Sequence, residues 1–268
     1  MCQVTVNNNF TLINHTSFFF KKILKNTGLI DNIIYSVYFY HVILKYKVIF
    51  LDHDDTSVDS TPSIHYPAYK EVMKTLRPDI EPVSLETWYL KNFDPGVMGY
   101  YVDELKFTEE EAAEEIRIWR KHTDTGIPEF FPGIAEFLET YHEAGGKICI
   151  TSHSEAVHIR EFYRKKLHFS PDAIYGWDND PAKRKPSPWP VNDYLKDKSI
   201  PREETLVIDD LKPGLEMAKS AGVPFCAACW AHNLGPIRSF MENHADYCAA
   251  EVKDLNNIVF GLSGRFSS

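Results

Sequence analysis

The chain has 268 residues and a formal net charge of −9, with 44% hydrophobic and 25% charged residues. That length holds one large domain or two modest ones, and the composition is that of an ordinary globular protein, not a disordered chain. The acidic surplus argues against a nucleic-acid backbone as the main partner.

Residues 1–46 differ from the rest. They are rich in Asn, Phe, Ile, Tyr and Lys, contain no proline, and carry Lys21, Lys22, Lys25 and Lys45 against Asp31. The apolar stretch from Leu29 to Leu44 is broken by Asp31, Asn32 and His41. It falls short of the roughly 18 uninterrupted apolar residues of a spanning helix. No signal-peptide order of charged start, apolar middle and small-residue cleavage site is present. Membrane association is therefore not expected. The segment reads as a dispensable extension, or as upstream sequence from a misplaced start, ahead of a weak anchor. Asn9-Phe10-Thr11 and Asn14-His15-Thr16 match glycosylation acceptors, a pattern short enough to arise by chance. The body of the protein is expected to begin at residue 47.

There the apolar run Val48-Ile49-Phe50-Leu51 ends abruptly in Asp52-His53-Asp54-Asp55-Thr56. A run that apolar is a strand covered on both faces, as in a parallel α/β sheet. Loops at the carboxyl ends of such strands are where open α/β sheets bind ligands. Packing has no need of several acids there, and a divalent cation would relieve their repulsion. Alternation along the strand points His53 away from Asp52 and Asp54, toward packing. Asp59 suits a cap or loop position.

Ser60-Thr61-Pro62-Ser63 reads as a linker, and residues 64–130 as helical. Tyr69, Val72, Met73 and Leu76 follow helical spacing, which Arg77-Pro78 ends. Thr108 and Glu111 form a capping box, followed by an apolar stripe of Ala112, Ile116 and Trp119. Pro128 to Gly133 reads as a second linker. A helix with Ile134, Phe137, Leu138 and Tyr141 on one face stops at Gly145-Gly146. Then follow a strand Lys147–Thr151, a helix near 155–166 and a short strand near 173–175. Thr205–Asp210 repeats the opening device, an apolar strand ending in acids. A helix over 214–221 and a strand over 223–229 complete the pattern. Strands alternating with helices imply βαβ units and a parallel sheet, which the helical stretch 62–130 interrupts.

The cysteines are Cys2, Cys149, Cys226, Cys229 and Cys248. An odd count in a chain too large to need staples favours reduced thiols and a cytoplasmic setting. Cys226-Ala-Ala-Cys229 has no second pair, so both cysteines read as small strand residues ahead of redox or zinc chemistry.

Three strands thus end in polar sites: Asp52/Asp54, Thr151/Ser152 and Asp209/Asp210. On one edge of a parallel sheet they would converge with Lys185 of Lys185-Pro186. Two acid pairs, a hydroxyl and a lysine suit phosphoryl transfer. In order and spacing these four motifs resemble the haloacid dehalogenase-like hydrolase superfamily. Lys219-Ser220-Ala221-Gly222-Val223 is similar to the turn found in its phosphoglycolate phosphatase and β-phosphoglucomutase-like branch. The resemblance covers roughly 47–61 and 131–260. It implies a Rossmann-like α/β core over 47–61 and 131–268, with a helical cap over 62–130 that closes over the site and chooses the substrate.

The resemblance also implies roles. Asp52 would be the nucleophile, forming an aspartyl-phosphate, and Asp54 the acid and base. Thr151, Ser152 and Lys185 would bind the phosphoryl group. Mg²⁺ would be held by the Asp52 and Asp210 carboxylates and the Asp54 carbonyl, with Asp209 behind them. Gly is common in the family where Asp55 stands, and Ser where Leu211 stands. The expected activity is a Mg²⁺-dependent phosphatase acting on a small phosphorylated metabolite. The alternatives are a sugar-phosphate mutase, a phosphonate hydrolase using Lys70 or Lys74, and a non-catalytic binding protein. Asp54 argues against a 2-haloacid dehalogenase, a branch that lacks the second Asp. Among the cap cations Lys70, Lys74, Lys91, Arg117 and Lys121, one or two could meet an anionic substrate.

Overall fold

The run Val48–Leu51 is a strand in which every side chain is fully buried. Its residues alternate between two apolar layers: Ile49 and Leu51 enter one cluster, Val48 and Phe50 the other. Each such residue contributes about 1.5–3 kcal/mol by leaving water. The structure is a computed structural model and describes residues 42–262, which belong to one compact unit. The expectations for residues 1–41, including both glycosylation patterns and most of the apolar stretch, lie outside the described residues.

In chain order the elements are β1 (Val42–Leu44), β2 (Val48–Leu51), α1 (Tyr66–Leu76), α2 (Leu85–Phe93), α3 (Glu109–Thr123), α4 (Ile134–Glu143), β3 (Lys147–Thr151) and α5 (Ala156–Lys166). Then come β4 (Ala173–Tyr175), α6 (Trp189–Leu195), β5 (Thr205–Asp209), α7 (Lys212–Ala221), β6 (Phe225–Ala228), α8 (Gly235–His244), β7 (Tyr247–Ala249), α9 (Asp254–Val259) and β8 (Phe260–Leu262). Six strands form one parallel sheet in the order β4-β3-β2-β5-β6-β7. Helices α4 and α5 cover one face and α6, α7 and α8 the other. This is the parallel α/β sheet expected from the alternating pattern, and the Rossmann-like core that the resemblance implied. No helix among the described residues is long and apolar enough to cross a membrane.

Three local expectations differ from what is observed. The body starts earlier than residue 47, because Val42–Leu44 pairs antiparallel with Phe260–Leu262. Ser60–Ser63 is not a linker: Thr61–His65 winds as a π-helical turn directly into α1, with Pro62 in the first turn, where its missing N–H costs nothing. The third concerns cysteines. Cys229 and Cys248 form a disulfide, while Cys149 and Cys226 are free and buried. The expectation of reduced thiols fails for that pair, since adjacent strands β6 and β7 bring together residues 19 apart in sequence. With it goes the ground on which a cytoplasmic setting was expected.

The helices between β2 and β3 have a small core of their own, built on Tyr69, Trp88, Tyr100, Tyr101 and Ile118. Tyr69 and Trp88 stack with centroids 4.1 Å apart. The capping box forms as expected, and Glu111 also pairs with Arg77. The stripe on α3 does not seal this core. Glu115 and Ile118 are its buried residues, while Ile116 and Trp119 face a cavity.

Candidate active site

Strand β2 pairs with β3 on one side and β5 on the other, all parallel, so the polar ends of these strands share one edge. This is also where the strand order reverses direction, the place at which α/β sheets bind ligands. From the loop after β4, Lys185 reaches in. Its Nζ lies 2.6 Å from Asp52 Oδ1 and 2.5 Å from Asp209 Oδ2. All three side chains are at most 5% exposed. Burial alone would strip the charge from Lys185, but Asp209 and Asp52 outweigh it and hold the ammonium protonated. Burial pushes Asp52 well above the usual carboxylate range, with Lys185 opposing and Asp209, Asp210 and Asp54 adding to the rise. Asp209 is pushed up to about 6, again by burial against Lys185.

Behind this triad the backbone is tightly fitted. Asp209 Oδ1 accepts the Leu211 amide at 2.8 Å, at the start of α7. Gly214 lies against the same carboxylate, and a Cβ there would sit 2.3 Å from Asp209 Cγ. Only glycine permits that approach. Asp55 takes the left-handed conformation, φ 55°, which explains why a turn residue stands there. Its carboxylate accepts the Thr61 amide at 3.1 Å.

Asp54 is held differently. Ser60 Oγ and His65 Nε2 lie 2.8 and 2.9 Å from Oδ1, and Ser152 and Ser154 donate to Oδ2 at 3.2 and 2.6 Å. Burial would raise its pKa, but His65 and these donors hold it well below the usual carboxylate range. The indole N–H of Trp119 donates to His65 Nδ1 at 3.2 Å. An indole cannot accept, so the His65 proton sits on Nε2 and points at Asp54.

The remaining predicted residues are also here. Asp210 accepts from Thr56 Oγ1 at 2.9 Å and faces His232 Nε2 at 3.3 Å. Thr151 is 1% exposed, and its Oγ1 has no partner among the described residues. Ser152, expected to bind phosphate, instead spends its hydroxyl on Asp54 and the Ser154 amide. His53 turns away, as alternation requires, and packs on Phe162 and Tyr163.

Oxygens of Asp52, Asp209 and Asp210 all lie within 4.8 Å of one another, and all three residues are buried. With Lys185 as a buried cation against them, this set suits a hard divalent ion that prefers carboxylates and water. Sequence reasoning missed Thr56, Ser60, His65, Ser154 and His232. Thr56 carried a signal as the last residue of the first motif. The others are hydroxyls and imidazoles whose convergence depends on the fold.

The family profile described as haloacid dehalogenase-like hydrolase matches residues 48–228. The chain belongs to that family. It is 22% identical over 224 residues to the phosphoglycolate phosphatase of Vibrio parahaemolyticus, covering 80% of this chain and 96% of that protein. It is 25% identical to the one from Pseudomonas savastanoi, covering 80% and 79%. Among solved structures, a haloacid dehalogenase-like hydrolase from Streptococcus pneumoniae superposes with a TM-score of 0.65 at 21% identity, over 80% of this chain and 98% of that one. CbbY from Rhodobacter sphaeroides, solved with xylulose 1,5-bisphosphate, gives 0.58 at 19% identity, over 77% and 96%.

Proposed function

We propose that this family member is a Mg²⁺-dependent phosphomonoesterase acting on a small phosphorylated metabolite. The observation that carries the proposal is the buried pairing of Lys185 with Asp52 and Asp209, beside Asp210. One carboxylate is immobilised at a strand end, flanked by a cation that can neutralise phosphoryl oxygens. The unpartnered Thr151 hydroxyl supplies a donor for one of those oxygens.

In this mechanism Asp52 attacks phosphorus while the P–O bond to the leaving alcohol breaks, giving an aspartyl-phosphate. The ester oxygen takes a proton from Asp54, and Asp54 then removes one from the water that hydrolyses the acyl phosphate. The resting hydrogen bonds keep Asp54 in its base form. For the first turnover it takes a proton from bulk water as it turns from Ser154 and His65 toward the substrate, and in later turnovers the proton it removes from the hydrolytic water serves the next leaving group. Mg²⁺, held by Asp52, Asp210 and the Asp54 carbonyl, would supply electrostatic stabilisation of the phosphoryl charge. The helices of residues 62–130 act as the cap that shields this step from water.

Neither Lys70 nor Lys74 lines the cavity above the site; both are exposed, which weighs against a phosphonate hydrolase. The test is release of inorganic phosphate from p-nitrophenyl phosphate and a panel of phosphorylated metabolites with Mg²⁺. Asp52→Asn should lower turnover about 10⁴-fold or more with an unchanged circular dichroism spectrum. Undiminished phosphate release by that variant would overturn the mechanism. Turnover that needs a bisphosphate activator and releases no phosphate would favour the mutase.

A further inference from the structure

Above the strand ends lies a cavity of about 350 Å³, with Asp52, Asp54 and Lys185 on its floor. The opposite wall comes from the helical insert and presents Tyr69, Trp88, Tyr101, Trp119, Asn92 and Glu115. No lysine or arginine of the insert lines it. Those cations are engaged elsewhere: Lys91 with Glu104, Arg117 with Glu114, and Lys121 with Glu71. Lys185, the one lysine or arginine among the lining residues, is committed to Asp52 and Asp209.

One charged group of the insert stands on this wall without a partner among the described residues. Glu115 lines the cavity and is 8% exposed, no described side chain or amide donates to it, and burial alone pushes it up to about 7. A carboxylate so placed is best matched by a cation that enters the cavity. The surrounding ring faces are themselves electronegative and attract cations. A carboxylate placed there would face Glu115 with no counter-charge.

We infer that the cavity selects phosphomonoesters whose leaving alcohol carries a protonated amine, bound by Glu115 in a cavity also lined by Tyr69, Trp88, Tyr101 and Trp119. The inference rests on the phosphatase reading and narrows its substrate class. A bound ammonium converts Glu115 from a strained buried acid into half of an ion pair. The same wall rejects a carboxylate-bearing alcohol of equal size.

The experiment compares three phosphomonoesters of matched size: 2-aminoethyl phosphate, 2-hydroxyethyl phosphate and carboxymethyl phosphate. With Mg²⁺ and wild-type protein, kcat/KM for the amine should exceed that for the neutral ester at least tenfold, and the carboxylate should be poorest. In Glu115→Gln the amine-to-neutral ratio should fall to within about threefold of unity. Calorimetric binding of the three esters to Asp52→Asn reports the same order without turnover. Equal or better use of the neutral or carboxylate ester overturns the inference. If p-nitrophenyl phosphate is hydrolysed and the amine is not preferred, the inference alone fails. If p-nitrophenyl phosphate is not hydrolysed either, the phosphatase reading fails and takes the inference with it. Should Glu115→Gln not fold, the wild-type ratios decide.

Discussion

The two walls of the cavity solve opposite problems. The sheet edge crowds Asp52, Asp54, Asp209 and Asp210 together and satisfies nearly every oxygen, with Lys185, Ser154, His65 and Thr56 as donors. The helical insert is aromatic and carries few polar groups into the cavity, yet places Glu115 there, 8% exposed and with no partner among the described residues. Groups that must hold a fixed geometry during chemistry are over-determined. On our proposal, the group that recognises a ligand waits for it, at some cost to stability.

The sharpest way to break this contrast is to remove one cation from the sheet edge and one from the outer surface of the insert. Lys185→Met leaves Asp52 and Asp209 buried without their counter-charge, and should cost about 3–5 kcal/mol in urea unfolding with a chelator present. Lys121→Met breaks an exposed pair with Glu71 and should cost under about 1 kcal/mol. Comparable losses at the two positions would mean that the sheet edge is not the strained, pre-organised half.

A smaller effect is expected from the disulfide, which ties the carboxyl end of β6 to β7. Cys229 directly precedes Trp230, whose indole donates to the Thr56 carbonyl, and His232 follows to face Asp210. Closing a loop with a sequence separation of 19 constrains the unfolded chain by about 3 kcal/mol, equivalent to a melting temperature roughly 6–12 °C higher. A reducing agent should remove that increment from the wild type and leave a Cys229→Ser/Cys248→Ser variant unaffected. A wild-type melting temperature indifferent to reductant would show that the pair is not formed in solution.

The sheet edge was legible in the sequence because its signals are local. Apolar strands ending in Asp52, Thr151 and Asp209 fix both the element and the direction in which its last side chain is delivered. The cavity wall was not. Its residues are scattered over α1, α2, α3 and the loop after Asp94, and only tertiary packing gathers them. Periodicity on α3 selected Ala112, Ile116 and Trp119 as the buried face. It passed over Glu115, one position away, because an acid in a helix reads as solvated. The disulfide was missed for the same reason. Cys229 and Cys248 become neighbours only once β6 and β7 are placed side by side, and CxxC spacing drew attention to Cys226 instead.

Glu115 gives the comparison its subtlest test, because its signature is a pH dependence and not a loss of function. In the folded protein it is pushed up to about 7 by burial, against an ordinary value of 4.5. Below about 4.5 both folded and unfolded states hold the proton, and the residue exerts no pH-linked penalty. Between 4.5 and 7 the unfolded chain releases its proton while the folded protein keeps it, so stability falls as pH rises. Above about 7 the penalty is complete and constant. Glu115→Gln removes this titration and leaves the acids of the sheet edge in place. Relative to wild type, the variant should therefore gain about 2–3 kcal/mol between pH 5 and pH 8 in urea unfolding. Saturating 2-aminoethyl phosphate should shrink that gain in wild-type protein by pairing the carboxylate, whereas carboxymethyl phosphate should not. A pH-independent difference would place Glu115 in contact with water, and the insert would then be as fully satisfied as the sheet edge it faces.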